Sequence, residues 1–254
     1  MFKNKKIICV IPARLASHRF PEKMLSTLAG KPLLSWAWRA AKAVPFFDDV
    51  ICAVDDQRLA ACVTSFGAKA IMTSPSCQSG TERLIELATK HNLEADVFVN
   101  WQGDEPFISS AMIEDLLQSI DKPTEEAWTL KTCIQNPADV TAINIAKVVT
   151  DRHNQALYFS RSPIPCVRDC TDIPALVRQK TYFKHVGLYA FSNSCLKKMA
   201  SLGDCWLEQV EKLEMLKLLD YGISITVHET KHEVFGIDTP NDLIKAEQLI
   251  AANG

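Results

Sequence analysis

Three cationic side chains follow the first apolar segment of the chain within a span of ten residues. Arg14, Arg19 and Lys23 come after Ile7–Ile11, and such an unbroken apolar run is typical of a strand buried on both faces of a parallel sheet. In open α/β sheets, ligands bind in the crevice at the carboxyl ends of the strands. Guanidinium and ammonium groups there predict a polyphosphate site, and a solvated basic loop is the alternative. The sequence contains neither GxxxxGK nor GxGxxG, so side chains rather than a glycine nest would hold the phosphates.

Two aspartates at the ends of predicted elements are candidate ligands of a divalent cation. Asp104 lies in Gln102–Pro106, just after the fourth predicted strand, and Asp238 directly precedes the last predicted helix. Carboxylates beside a polyphosphate are natural Mg²⁺ ligands, so the two predict a magnesium site if the fold brings them together. The alternative for each is an ordinary residue at the start of a helix.

The segment His228–His232 matches the HExxH pattern of zinc proteases, but its setting argues against zinc. It runs directly from the predicted strand Ile223–Val227. In extended chain the two histidines stand ~13 Å apart, whereas zinc–nitrogen bonds are ~2.1 Å long. We therefore expect no zinc site in this segment.

Alternating strands and helices must position these residues. Through residue 100 the strands are predicted at Ile7–Ile11, Val50–Val54, Ala68–Met72 and Val97–Val99, and the helices at Leu33–Val44, Gln57–Phe66 and Thr81–His91. This order is typical of a doubly wound α/β sheet.

The alternation loosens in the second half of the chain. Further strands are predicted at Trp128–Ile134, Ala146–Val149, Val186–Phe191 and Ile223–Val227, and helices at Leu207–Tyr221 and Thr239–Ala252. We expect one domain over residues 1–254 with a mixed sheet and an inserted arm over roughly residues 155–205.

Composition excludes several classes of protein. The net charge of −2 argues against a nucleic-acid-binding protein, and no apolar run approaches the ~18 residues of a membrane span. The nine cysteines are odd in number and scattered, which favours reduced thiols in a cytosolic protein over a disulfide scaffold.

Six segments together resemble the 3-deoxy-manno-octulosonate (Kdo) cytidylyltransferases, or CMP-Kdo synthetases, in order and spacing over nearly the whole chain. They are Ile11-Pro12-Ala13-Arg14, Arg19-x-Pro21-x-Lys23, Gln78-Ser79-Gly80-Thr81-Glu82-Arg83, Gln102-Gly103-Asp104-Glu105-Pro106, Ala156-Leu157-Tyr158-Phe159-Ser160-Arg161 and Asp238-Thr239-Pro240. The resemblance implies a nucleotide-diphospho-sugar transferase fold and the reaction of CTP with Kdo to give CMP-Kdo and pyrophosphate for lipopolysaccharide synthesis. It also implies a cytoplasmic homodimer with an arm at its contact, and dependence on Mg²⁺.

The resemblance also implies roles for individual residues. Arg14, Lys23, Asp104 and Asp238 would be catalytic, and the two aspartates would hold Mg²⁺. CTP would be bound by Arg14, Ser17, Arg19, Lys23, Gln78, Ser79, Gly80, Arg83 and Asp104. The sugar would be bound by Gln102, Arg161, His185, Glu208, Glu211 and Glu214.

Two positions depart from the pattern of the family. Met215 stands where the family usually has glutamine, so either it packs the helix or the sugar pocket is less polar here. Glu22 stands where glycine is frequent and adds a carboxylate beside the phosphate-binding cations.

Three alternatives remain open on the sequence. The chain could be a sister cytidylyltransferase for 8-amino-Kdo or another sialic-acid-like 2-keto sugar, or a glycosyltransferase that consumes a nucleotide sugar. It could also be a binding protein without activity, although retention of Arg14, Lys23, Asp104 and Asp238 argues against that.

Overall fold

The computed structural model describes residues 1–16, 20–91, 93–122, 124 and 126–253. Its strands are β1 (Ile7–Ala13), β2 (Thr27–Leu28), β3 (Lys31–Pro32), β4 (Asp49–Val54), β5 (Lys69–Met72), β6 (Val97–Asn100), β7 (Ala127–Cys133), β8 (Lys147–Thr150), β9 (Ala156–Ser160), β10 (Phe183–Ser192) and β11 (Ile225–Glu229). Its helices are α1 (Leu33–Lys42), α2 (Gln57–Ser65), α3 (Gly80–Thr89), α4 (Ser110–Leu116), α5 (Pro137–Thr141), α6 (Ile173–Arg178), α7 (Asn193–Met199), α8 (Trp206–Glu211), α9 (Met215–Asp220) and α10 (Pro240–Asn253), with a 3₁₀ helix at Lys23–Leu25. Among these described elements, no helix is long and apolar enough to span a membrane.

The chain folds as two compact units, neither of which is continuous in sequence. Unit 1 comprises Met1–Ile113, Phe191–Ala200 and Val234–Gly254, and unit 2 comprises Glu114–Ala190 and Ser201–Glu233. The predicted single domain and the arm over roughly residues 155–205 stay predictions.

Unit 1 is built on four parallel strands in the order β6–β1–β4–β5. Every residue of β1 is buried, as expected for a strand with neighbours on both sides and helices on both faces. The chain leaves β1 for β4 on one side and returns to β6 on the other, so the strand order reverses between β1 and β6. A crevice at the carboxyl ends of these two strands is the usual ligand site of such a sheet.

Unit 2 contains strands that pair in both directions. β7 and β11 pair in parallel, whereas β8 pairs antiparallel with both β10 and β9. The parallel pairs and the antiparallel additions together confirm the prediction of a mixed α/β fold.

The HExxH segment begins in a strand, as predicted. His228 lies in β11 and is buried, and its Nε2 lies 2.8 Å from the Ser119 hydroxyl. The pattern therefore sits at the end of a strand and not on a helix, as the sequence indicated.

The predicted helix Leu207–Tyr221 is wrong, because the structure divides it into α8 and α9. Lys212 ends α8 with a left-handed φ of 54°. The Arg161 guanidinium donates to the carbonyls of Glu211 (2.6 Å) and Lys212 (3.2 Å). A continuous helix would use those carbonyls to accept the amides four residues later.

Candidate functional site

A cavity of about 280 Å³ lies in unit 1 where β1 and β6 end. It is lined by Pro12, Arg14, Lys23, Met24, Cys77, Gln78, Ser79, Gly80, Arg83, Gln102, Asp104 and Asp238. The structure thus brings together the predicted residues from five separated segments of the chain. Ser17 and Arg19, also predicted to bind CTP, lie outside the described residues.

The two candidate metal-binding carboxylates meet around one cation. Lys23 Nζ lies 2.5 Å from Asp104 Oδ2 and 3.1 Å from Asp238 Oδ1. The Lys23 side chain is only 8% exposed, against 24% for Asp104 and 46% for Asp238. The family resemblance places Lys23 on the phosphates, whereas in this structure its ammonium group compensates the charge of the carboxylates.

Local backbone contacts bring Asp238 to this place. The amide of Ile237 donates to the carbonyl of Asp104 at 2.9 Å, which fixes the segment before α10 against the segment after β6. Asp242 accepts from the Thr239 hydroxyl at 2.8 Å and from the Thr239 amide at 2.9 Å. The bond from the Thr239 hydroxyl, with those from the amides of Asp238 and Thr239, holds the pKa of Asp242 below its usual value.

A third carboxyl group lies beside the pair. Burial and, to a smaller extent, the charges of Asp104 and Asp238 raise the pKa of Glu105 to about 8, against the opposing charge of Lys23. Glu105 is therefore largely protonated at neutral pH. A neutral carboxyl group next to two ionised ones limits the negative charge that a bound polyphosphate would meet.

The amino terminus of α3 forms another wall of the cavity. The Ser79 hydroxyl accepts from the Glu82 amide at 3.2 Å, and the Glu82 carboxylate accepts from the Gln78 amide at 2.7 Å, which fixes the start of the helix. Gly80 packs so closely that an added Cβ would lie 2.9 Å from Pro12 Cγ and 3.2 Å from Asn100 Oδ1. The partial positive charge of a helix amino terminus favours an anionic ligand.

Arg83 contributes to this wall as a buried cation. Its guanidinium donates to Asp55 Oδ2 at 2.9 Å and to the Thr73 hydroxyl at 2.7 Å. The side chain is only 3% exposed. Its charge is therefore compensated inside the protein, whereas Arg14 lines the cavity with its residue exposed.

Among the predicted sugar-binding residues, Gln102 lines the cavity of unit 1, and five others lie in unit 2. Arg161 and Glu211 are hydrogen-bonded to one another's backbone. The Glu211 carboxylate accepts from the Arg161 amide at 2.9 Å and also from the Ser160 hydroxyl at 2.7 Å. The Arg161 guanidinium also donates to the carbonyl of Ile143 at 2.9 Å. These bonds tie the end of β9 to the junction of α8 and α9.

The remaining three residues of unit 2 are Glu208, Glu214 and His185. Glu208 lies 3.7 Å from Lys217, and Glu214 immediately precedes α9. His185 Nε2 lies 3.0 Å from the Thr129 hydroxyl, and burial lowers the pKa of His185 to about 3. His185 is therefore neutral at physiological pH and would meet a ligand as a hydrogen-bonding group rather than as a charge.

The two departures from the family pattern have structural explanations. Met215 is 4% exposed and belongs to the core of unit 2, which favours the packing interpretation. Glu22 has a left-handed φ of 52°, a conformation that glycine adopts without steric cost. Its carboxylate lies 2.7 Å from Arg58.

Sequence reasoning missed Asp55, Asn100 and Glu105 as parts of this site. Asp55 follows β4, the neighbour of β1 in the parallel sheet, so the rule that ligands bind at the carboxyl ends of strands could have identified it. Asn100 ends β6, where its Nδ2 donates to the Thr81 hydroxyl at 3.2 Å. No local pattern marks Glu105 as a carboxyl group with a raised pKa.

Taken together, the cavity offers an exposed guanidinium, a helix amino terminus and two carboxylates that converge on one positive charge. This combination suits a polyanionic ligand that carries its own divalent cation.

Comparisons with known proteins agree with this chemistry. A family model described as Cytidylyltransferase matches residues 8–225. The 3-deoxy-manno-octulosonate cytidylyltransferase of Geotalea daltonii is 41% identical over 98% of this chain and 100% of its own. That of Thermodesulfovibrio yellowstonii is 42% identical over 96% of this chain and 97% of its own. A solved structure of CMP:2-keto-3-deoxy-manno-octonic acid synthetase complexed with CTP is 39% identical, with a TM-score of 0.89 over 98% of this chain and 100% of that one.

Proposed function

The chain belongs to the 3-deoxy-manno-octulosonate cytidylyltransferase family, and from that premise we propose that it transfers the cytidylyl group of CTP to Kdo. The products are CMP-Kdo and pyrophosphate. The observation that carries the proposal is the convergence of Arg14, Lys23, Asp104 and Asp238 on one cavity at the reversal of strand order. The names of the relatives favour Kdo over an 8-amino analogue.

The reaction is a displacement at phosphorus. The anomeric oxygen of the sugar forms a bond to the α-phosphorus while the bond to the departing pyrophosphate breaks, and the hydroxyl proton is released. Such a transfer depends on positioning and on stabilisation of charge rather than on a covalent nucleophile. None of the nine cysteines therefore needs a catalytic role.

We assign charge stabilisation on the phosphates to Arg14 and Lys23. Arg14 is exposed in the cavity and can donate two parallel hydrogen bonds to phosphate oxygens. Lys23 has a flexible stem, and its ammonium would stabilise the negative charge that develops on the departing pyrophosphate. The segment from Gln78 to Arg83 would lie along the cytidine.

The donor set of Asp104 and Asp238 fits Mg²⁺. Two carboxylate oxygens flank a single ammonium at 2.5 and 3.1 Å, and Mg²⁺ is commonly held by one or two carboxylates together with substrate phosphates. Mg²⁺, when bound, would supply orientation of the reacting oxygens and offset of negative charge. The protein's own part is to hold the two carboxylates together through the bond from Ile237 to Asp104.

Other elements of the proposal rest on the family alone. They are homodimer formation through an arm over roughly residues 155–205, a cytoplasmic location and a place in lipopolysaccharide synthesis. The sugar-binding roles of Gln102, Arg161, His185, Glu208, Glu211 and Glu214 stay predictions.

A coupled assay of pyrophosphate release tests the proposed function. CTP, ATP, GTP and UTP are each offered with Kdo and with its 8-amino analogue in the presence of Mg²⁺. We expect release with CTP and Kdo together and little with any other pairing. Release of a nucleoside mono- or diphosphate from a nucleotide sugar, with no pyrophosphate from CTP, would indicate a glycosyltransferase. No product of either kind would indicate a binding protein.

Asparagine variants of the two carboxylates test the metal assignment. Asp104→Asn and Asp238→Asn preserve shape but remove a charge, so each should lower kcat on the order of 100-fold, or ~3 kcal/mol. Asp49→Asn is the matched control, because Asp49 pairs with Lys69 at 3.3 Å on the surface. Near-normal turnover of either cavity variant at limiting Mg²⁺ would remove that residue from the proposed metal site.

A further inference from the structure

Asp55 holds two different walls of the cavity with its two carboxylate oxygens. Oδ1 accepts from the backbone amide of Leu15 at 2.9 Å, and Oδ2 accepts from the Arg83 guanidinium at 2.9 Å. The side chain of Asp55 is 11% exposed and that of Arg83 is 3% exposed. Both bonds are therefore shielded from water and are stronger than a surface ion pair.

The first bond fixes the segment that carries Arg14. Leu15 follows Arg14 directly, after β1 has ended at Ala13. A loop that leaves a strand has few backbone partners of its own. The Asp55 carboxylate supplies one of them and thereby sets the path of the main chain next to the guanidinium of Arg14.

The second bond fixes the segment that forms the opposite wall. Arg83 lies on α3, one turn after Gly80, and also donates to the Thr73 hydroxyl at 2.7 Å. Because the charge of Arg83 is compensated by Asp55, this arginine holds α3 in place rather than offering a free charge to a ligand. The position of α3 in turn sets where Gln78, Ser79 and Gly80 line the cavity.

We propose that Asp55 is a positioning residue for nucleotide binding, which couples the phosphate side of the cavity at Arg14 to the α3 side through Arg83. The inference rests on the proposed function for the identity of the ligand, CTP. Asp55 does not line the cavity and acts through Leu15 and Arg83. Its loss should therefore weaken binding at both ends of the nucleotide, although neither end touches Asp55.

Calorimetric titration of the full chain with CTP, CMP and pyrophosphate, each with Mg²⁺, tests this coupling. Asp55→Asn keeps the size of the side chain, loses its charge and can retain only one of the two bonds. We expect it to weaken CTP binding at least tenfold and to weaken both CMP and pyrophosphate. In turnover, KM for CTP should rise by a similar factor, while KM for Kdo and kcat change less than threefold.

The adjacent aspartate provides a matched control. Asp56 caps α2 by accepting from the Arg58 amide at 2.8 Å and pairs with the Arg58 side chain at 3.1 Å. Asp56→Asn keeps an oxygen that can cap α2, removes the ion pair with Arg58 and should leave the affinity for all three ligands unchanged.

A double variant guards against a folding defect in Asp55→Asn. Arg83→Gln combined with Asp55→Asn removes both charges and leaves no buried charge unpaired. Its loss of CTP affinity should be clearly smaller than the product of the two single losses, because the pair acts as one unit.

Four results would overturn the role of Asp55. They are unchanged CTP affinity in Asp55→Asn, a loss confined to CMP or to pyrophosphate, an equal loss in Asp56→Asn, and independent effects in the double variant. A wild-type chain that binds CTP but releases no pyrophosphate with Kdo would instead overturn the proposed function, and the binding titrations would still decide the role of Asp55.

Discussion

Replacing Lys23 by methionine should make the stability of the protein depend on Mg²⁺. Methionine fills a similar volume but carries no charge. The change leaves Asp104 and Asp238 facing each other without the ammonium that now lies 2.5 and 3.1 Å from them. A divalent cation could then replace the lost positive charge, if the two carboxylates are metal ligands.

The size of the effect follows from the burial of the three side chains. Removing one partner of a buried ion pair costs about 3–5 kcal/mol. Lys23 is 8% exposed, but Asp104 is 24% and Asp238 46% exposed, so water screens part of the remaining repulsion. We therefore expect a loss near the lower limit, about 3 kcal/mol, which lowers Tm by roughly 6–12 °C for a chain of this size.

Thermal unfolding with EDTA and with Mg²⁺ measures both parts of the prediction. A cation at a hundred times its dissociation constant restores about 2.7 kcal/mol, so Mg²⁺ should recover most of the loss in Lys23→Met and shift the wild type much less. Lys69→Met is the control, because Lys69 and Asp49 form an ion pair at 3.3 Å with both side chains largely exposed. A Lys23→Met protein that is as stable as wild type in EDTA, or that ignores Mg²⁺, would refute this reasoning.

Three further variants test other parts of the structure. The pKa of His185 is lowered to about 3 in the folded chain, so below pH ~6.5 only the unfolded chain binds a proton at this histidine. The free energy of unfolding should therefore fall by about 2 kcal/mol between pH 7 and pH 5. Urea unfolding of His185→Gln measures this, and a pH dependence equal to that of the wild type would contradict it. Gly80→Ala places a Cβ 2.9 Å from Pro12 Cγ and should raise KM for CTP several-fold. Gly187→Ala is the control, because the space around its Cβ is open. Equal KM values for the two variants would show that the close packing at Gly80 does not matter for CTP binding. Met215→Gln buries an amide at a position that is 4% exposed and should cost about 1–3 kcal/mol of stability, with KM for Kdo unchanged. A several-fold lower KM for Kdo in the variant would instead indicate that Met215 makes the sugar pocket of the wild type less polar.

The first half of the fold was predictable because its signals are local. An unbroken apolar run gave β1, whose residues are all buried, and Gly67 stands just after α2 with a φ of 80°, as expected for a residue that ends a helix. Parallel pairing then places Arg14 and Asp104 at one edge of the sheet. The sequence therefore predicted that these two residues share a sheet edge, and both line the cavity.

Other parts depend on contacts between distant segments and carry no local signal. Asp238 reaches Asp104 because the Ile237 amide bonds the Asp104 carbonyl, across more than a hundred residues of chain. The apolar stripe after Leu207 reads as one helix, but Arg161 takes the carbonyls that would continue it. Sequence periodicity cannot reveal that a side chain from a distant segment competes for backbone bonds.

The central claim is that this cavity joins CMP to Kdo, and ³¹P NMR of the reaction tests it most directly. CTP, Kdo and Mg²⁺ are incubated with the wild-type chain, and the three phosphorus signals of CTP are followed with time. The account predicts that they are replaced by one phosphodiester signal of CMP-Kdo and by pyrophosphate in equal amounts, and that no change occurs without the sugar. Formation of CDP or of a sugar phosphate, or persistence of CTP in the complete mixture, would contradict it.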